Sequence, residues 1–229
     1  MKRLVYLLFA VLAITLMSGG NALAKNEVYQ GDNSVYFVTY YSNANTTGAP
    51  DQTLRIVNDG DYTGCVPSVE SDVECIVDPP LSLWAAIYVF DDSQELRSCC
   101  ACQITADGLL SESVNKELTV NEFTGRGEMT RGVIKVISSR SSDPTAPIPD
   151  PGLRGWATHI EATTTTFPSG PGAPVNAKEA GPWFTTETAL SDSNLTALEE
   201  GNLGTLCSYG LTIGSGYGLC PCTLEYYEF

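Results

Sequence analysis

Histidine is almost missing from this chain: His159 is the only one in 229 residues. Any Ser-His-Asp or Cys-His nucleophilic system must therefore use that one imidazole, and a copper centre built on two histidines is excluded. No G-x-S-x-G segment occurs to place a serine on a nucleophile elbow, and no C-x-x-C-H segment occurs to attach a c-type haem. Positive charge is also scarce. Twelve Lys+Arg stand against 27 Asp+Glu, a formal net charge of −15. Such a surface repels nucleic-acid phosphates and anionic membranes, so neither is an expected partner. After residue 17 there is no long apolar run, and none of the later segments is suited to span a bilayer as a helix.

The one apolar run comes first. Lys2 and Arg3 precede Leu4 to Met17, which is apolar except for Thr15, and Ala22-Leu23-Ala24 fits a small-x-small cleavage site. Fourteen residues fall short of the roughly twenty a transmembrane helix needs. Residues 1–24 are thus expected to be a signal peptide and 25–229 a single exported domain. The expected location is secreted or on the cell exterior, the periplasm included. Removal of residues 1–24 takes away two basic residues and no acidic ones, so the exported chain is more acidic still.

Short runs rich in Thr, Val, Ile and Tyr dominate the remainder. "SVYFVTYY" (34–41) is apolar on both faces, "TLRIVN" (53–58) alternates, and "LWAAIYVF" (83–90) is continuously apolar, as a central strand is. "GVIKVISS" (132–139) and "GWATHIEATTTTF" (155–167) extend the series. "NDG" (58–60), "ADG" (106–108) and "GSG" (214–216) supply turn chemistry between them. The pattern predicts an all-β fold, a disulfide-stapled antiparallel β-sandwich. One short helix is expected within 191–210, capped by Ser191, Asp192 or Ser193 and covering an edge or end of the sheets. Gly201 and Gly204 weaken its second half. The proline-rich passages 143–152 and 168–175 read as surface loops.

Eight cysteines remain to be placed: Cys65, Cys75, Cys99, Cys100, Cys102, Cys207, Cys220 and Cys222. Zinc or copper(I) on four thiolates is disfavoured, because structural zinc pairs are usually about two to four residues apart and exported thiols oxidise. Thioredoxin-like exchange is disfavoured too, because no helix begins at Cys99-Cys100-Ala101-Cys102. An even count in an exported chain points to structural disulfides. On a strand Cys100 and Cys102 face one way and Cys99 the other. Bridges between the pairs Cys100/Cys102 and Cys220/Cys222 are then geometrically reasonable. Cys65 and Cys75 bracket one loop and suit a local bridge, leaving Cys207 for Cys99. No metal or other cofactor is expected.

Three of these segments, "NANTTGAPDQTLRIVNDG" (43–60), "AAIYVFDDSQELRSCCACQITADGL" (85–109) and "RGVIKVISS" (131–139), resemble exported, cysteine-containing proteins of soil bacteria with no assigned function. The resemblance implies an exported bacterial domain and brings no catalytic motif.

Acidic pairs are candidates for glycosidase carboxylates, since that chemistry needs only two acids at the right separation. Asp91-Asp92, Glu199-Glu200 and Glu225/Glu228 are the candidates, and nothing in the sequence singles one out. Asn58, Asp59 and Asp61 offer oxygens to calcium but match a simple turn better than an EF-hand loop. The expectation is a structural or adhesive protein of the cell exterior, with self-association through "VYQGDNSVYFVTYY" or "TLEYYEF" as one form of it. The alternative is a carbohydrate-binding module that stacks a surface glycan on Tyr36, Tyr40, Tyr41, Trp84, Trp156 or Trp183.

Overall fold

A computed structural model describes residues 34–60, 82–121, 126–127, 129–166, 178–213, 218–220 and 222. All of them fall within one compact unit, Gly31–Phe229. The expected signal peptide, Cys65, Cys75 and the second proline-rich passage lie outside the described residues.

The strands are β1 (Tyr36–Ser42), β2 (Thr53–Asn58), β3 (Leu83–Asp91), β4 (Leu96–Ile104), β5 (Leu109–Ser113), β6 (Val120–Asn121), β7 (Arg126–Gly127), β8 (Arg131–Ser139), β9 (Leu153–Thr166), β10 (Lys178–Ala189), β11 (Ser191–Asp192) and β12 (Gly218–Leu219). They form a six-stranded sheet in the order β11-β1-β8-β3-β4-β12 and a four-stranded sheet in the order β10-β9-β2-β5, with β6 and β7 as a separate ribbon. Every pairing is antiparallel except that of β12 with β4.

The two sheets face one another across one apolar core. Phe37, Tyr41, Ala85, Ile87, Val89, Ile134 and Val136 project from the first sheet, and Leu54, Ile56, Leu110, Leu153 and Ala157 from the second. Alternation supplies this directly: in β2, Leu54 and Ile56 are buried while Arg55 and Val57 face outward. β3 alternates hardly at all, and its position explains why. Its other face, Ala86 and Tyr88, joins Tyr36, Ile137 and Cys99 in a second apolar cluster under a helix. A strand covered on both sides reads as an unbroken apolar run.

That helix, α1 (Ala197–Ile213), has 17 residues. It lies on the outer face of the first sheet rather than at an edge or end, and Leu203 and Cys207 fill the second cluster. Its cap also differs from expectation. Ser191 and Asp192 are taken up by β11, which pairs with Phe37 and Val38 of β1. Thr196 caps instead, its Oγ1 accepting from the Glu199 amide at 3.1 Å. Gly204 is required for this approach: a Cβ there would meet the Thr145 carbonyl oxygen at 2.3 Å. The loop 143–152 is thus packed under the helix, and the Tyr88 hydroxyl donates to the Pro144 carbonyl at 2.7 Å.

A second helical element follows β5 without a break. Val114–Leu118 is a single π-helical turn, closed by the Thr119 amide donating to the Val114 carbonyl at 3.0 Å. Such turns are rare.

Candidate functional site

The cysteine knots resolve into bridges. Cys99 joins Cys207, Cys100 joins Cys220 and Cys102 joins Cys222, with Cα separations of 5.8, 5.4 and 5.2 Å. The first ties α1 to the outer face of β4. The other two lie on the opposite, core side of that strand and fix the segment that follows β12. The sulfurs of Cys100, Cys102 and Cys222 lie within 4.8 Å of one another, a spacing that thiolates would use for a metal. All three are oxidised, and a disulfide sulfur offers no thiolate to a metal.

His159 is buried rather than presented. Its ring stacks on Tyr40 with centroids 4.1 Å apart, and Nε2 lies 2.7 Å from Thr188 Oγ1. A catalytic triad places an orienting carboxylate on Nδ1, and among the described residues no carboxylate hydrogen-bonds to Nδ1 of His159. Burial pushes its pKa below the ordinary histidine value, against smaller opposing effects of the Tyr40 main chain and Glu161. The imidazole is thus packed between Tyr40 and Thr188.

Of the acidic candidates, Asp91, Asp92 and Glu199 are likewise engaged. Burial pushes the Asp91 carboxyl up, but the amides of Glu95 and Ser93 and the Arg97 guanidinium together hold it below the usual range. Its Oδ1 accepts from Ser93 N at 2.9 Å and Glu95 N at 3.0 Å, clamping the β3–β4 turn. Asp92 pairs with Arg131 at 2.8 Å. Glu199 accepts from the Tyr36 hydroxyl at 2.9 Å and pairs with Lys135, whose Nζ also sits 4.9 Å over the Phe90 ring. Lys135 beside it holds the Glu199 carboxyl low, against burial. These contacts tie α1 to the sheet. Asn58 donates to the Ile104 carbonyl, and Asp59 pairs with Arg154, so both hold the turn. Asp61, Glu225 and Glu228 lie outside the described residues.

Of the six aromatic residues named for stacking, Tyr36 and Tyr41 are buried, and Trp84 and Trp183 are partly covered. Tyr40 is half exposed, with one side of its ring against His159. Trp156 is different: it is 39% exposed on the outer face of the four-stranded sheet. Its register partners are Arg55 on β2 and Ala189 on β10. The next outward pair along the β9–β10 ladder is Thr158 and Glu187, and Glu187 forms an ion pair with Arg55. An indole, a guanidinium and a carboxylate therefore share one open sheet face. Farther along β10, on the other face of that sheet, Phe184 is 54% exposed. Sequence reasoning missed it, because "AGPW" (180–183) reads as a break and conceals the strand on both sides.

The other unusual group is inside. Glu112, which pairs with Leu54 across the β2–β5 ladder, is fully buried on the core face, where its carboxyl shares a hydrogen bond with Glu117. Burial, with the nearby Glu117 carboxylate adding to it, pushes its pKa up to about 9. No family model, no curated protein and no solved structure matches this chain.

Proposed function

We propose that the chain is an exported structural or adhesive module of the cell exterior, which offers to a partner the outer face of its four-stranded sheet and the β10 edge, unpaired on one side among the described residues. One observation carries this reading: the two sheets are treated oppositely. The six-stranded sheet has α1 on its outer face, and its edges are the two-residue strands β11 and β12. Very short edge strands leave little backbone for another chain to pair with. The four-stranded sheet leaves Trp156 half exposed and ends in the twelve-residue strand β10, interrupted only by the irregularity between Ala180 and Trp183. The disulfides fix β4 of the opposite sheet covalently to α1 and to the segment after β12. Three oxidised bridges also support an exporting route, since such bonds persist outside the reducing cytoplasm.

A second reading, carbohydrate binding, is favoured by the Trp156 face itself. An exposed indole stacks against the C–H face of a sugar ring, while flanking Arg55 and Glu187 suit its hydroxyls. The deciding experiment takes the oxidised chain without residues 1–24 through sedimentation analysis and a glycan array. Concentration-dependent oligomers that Phe184→Lys on the β10 edge disperses support the structural reading. A strict monomer that retains a glycan through Trp156 replaces it with the second.

A further inference from the structure

An asparagine followed two residues later by Ser or Thr, with no proline between them, is the acceptor signal for N-linked oligosaccharide in exported chains. This sequence has two such tripeptides, Asn45-Thr46-Thr47 and Asn194-Leu195-Thr196. The fold treats them oppositely.

Asn45 is spent on the structure. Its Nδ2 donates to Thr119 Oγ1 at 2.9 Å and to the Met129 carbonyl at 2.8 Å. Its carboxamide also lies against Gly127, where an added Cβ would meet Asn45 Oδ1 at 2.0 Å. Both N–H donors are therefore in use, and that nitrogen has no room for a sugar.

Asn194 stands in the short connection between β11 and α1, and it is exposed. The chain is anchored on either side of it. The Ser193 amide donates to the Tyr36 carbonyl at 2.9 Å, and Thr196 caps α1. Leu195 turns inward against the second apolar cluster, while Asn194 and Thr196 are both exposed. This out-in-out order is that of an extended segment, which puts residues two apart on the same side. The carboxamide and the threonine hydroxyl, the two groups that carry the signal, thus face solvent together. The cap uses Thr196 Oγ1 as an acceptor only, so its O–H can still donate to an enzyme.

We propose that Asn194 is a site of N-linked glycosylation, the co-substrate being an oligosaccharide carried on a polyprenyl pyrophosphate. Asn194 Nδ2 attacks C1 of the first sugar. The Nδ2–C1 bond forms, the C1–O bond to phosphate breaks, the lipid pyrophosphate leaves with the electron pair, and one amide proton passes to a base of the transferase. A bulky hydrated glycan beside β11, an edge of the six-stranded sheet, also closes that edge to other chains. The inference rests on the exported part of the proposed function and is independent of what the Trp156 face binds.

The test gives the oxidised, folded chain without residues 1–24 to a purified oligosaccharyltransferase and its lipid-linked oligosaccharide. Intact mass should show one added glycan, and peptide mapping should place it on Asn194 with Asn45 unmodified. Asn194→Gln changes an exposed side chain and should abolish the addition without loss of fold. Thr196→Ala should abolish it too, whereas Thr196→Ser, which keeps both hydroxyl and cap, should retain it. No transfer to the wild-type chain overturns the inference, as does transfer that persists in Asn194→Gln or an occupancy of Asn45 equal to that of Asn194. Transfer in vitro needs no export, so these failures leave the exported reading standing. That reading is tested separately by whether the chain recovered from a secretory host begins at Lys25.

Discussion

Arg55 of β2 reaches Glu187 of β10 across the whole width of β9, and the strand it crosses is the one that carries Trp156. The ion pair is half exposed, so it contributes little to stability. Its effect is to hold a cation and an anion at fixed places around an indole.

Trp156→Ala should therefore separate binding from folding. The unfolding free energy is expected to change by less than about 1 kcal/mol, since the side chain is partly solvated. Retention of the partner, measured on immobilised glycans or as sedimenting oligomer, should fall by about tenfold or more. An unchanged retention would move the contact surface away from this face.

The helix is held by a covalent bond and by a close approach, and the two can be tested separately. Cys99→Ser with Cys207→Ser opens a bridge with a sequence separation of 108. Denaturant unfolding should then show a loss of about 2–4 kcal/mol. Gly204→Ala leaves the bridge intact and drives a methyl group toward the Thr145 carbonyl. The expected cost is about 1–3 kcal/mol, read from the same denaturant curves.

Two buried groups give stability slopes of opposite sign. The pKa of His159 is depressed in the fold, so its contribution is complete above the ordinary value of about 6.5. It is lost as pH falls through that value toward the folded one. His159→Gln should flatten the acid limb of a plot of thermal midpoint against pH.

Glu112 acts in the reverse direction. Its pKa rises from 4.5 to about 9 on folding, so its contribution is complete below pH 4.5 and is lost as pH climbs toward 9. Glu112→Gln should then lose less stability than the wild-type chain as pH rises. A wild-type midpoint that does not fall between pH 5 and 9, compared with the variant, would contradict this.

The fold was legible wherever burial was one-sided or complete. β2 alternates, and β3 is apolar throughout, because each shows its environment directly. The cysteines followed from the same pleat: Cys99 sits on one face of β4 and Cys100 and Cys102 on the other, and the bridges leave from those faces. β10 was illegible because Gly181 and Pro182 interrupt a strand that needs no inner partner on one side. Helix α1 was located but misplaced at its start, since β11 claims Ser191 and Asp192 through a tertiary pairing that no local pattern reveals. Trp156 could not be ranked among six aromatics, because exposure depends on which sheet has the helix over it. Glu112 was passed over because "LLSES" (109–113) is short; only its spacing of two from Leu110 hints at a carboxyl on a core face.

The three sulfurs of β4 all take partners 108 or 120 residues downstream. A chain that emerges from its amino end exposes Cys99, Cys100 and Cys102 to oxidant well before Cys207, Cys220 and Cys222 arrive. Neighbouring thiols that wait together are prone to join the wrong sulfur first. Productive maturation of this wall therefore calls for a shuffling catalyst or a reducing interval, and yield in a host that lacks disulfide isomerase should suffer more than the stability of the finished molecule would suggest.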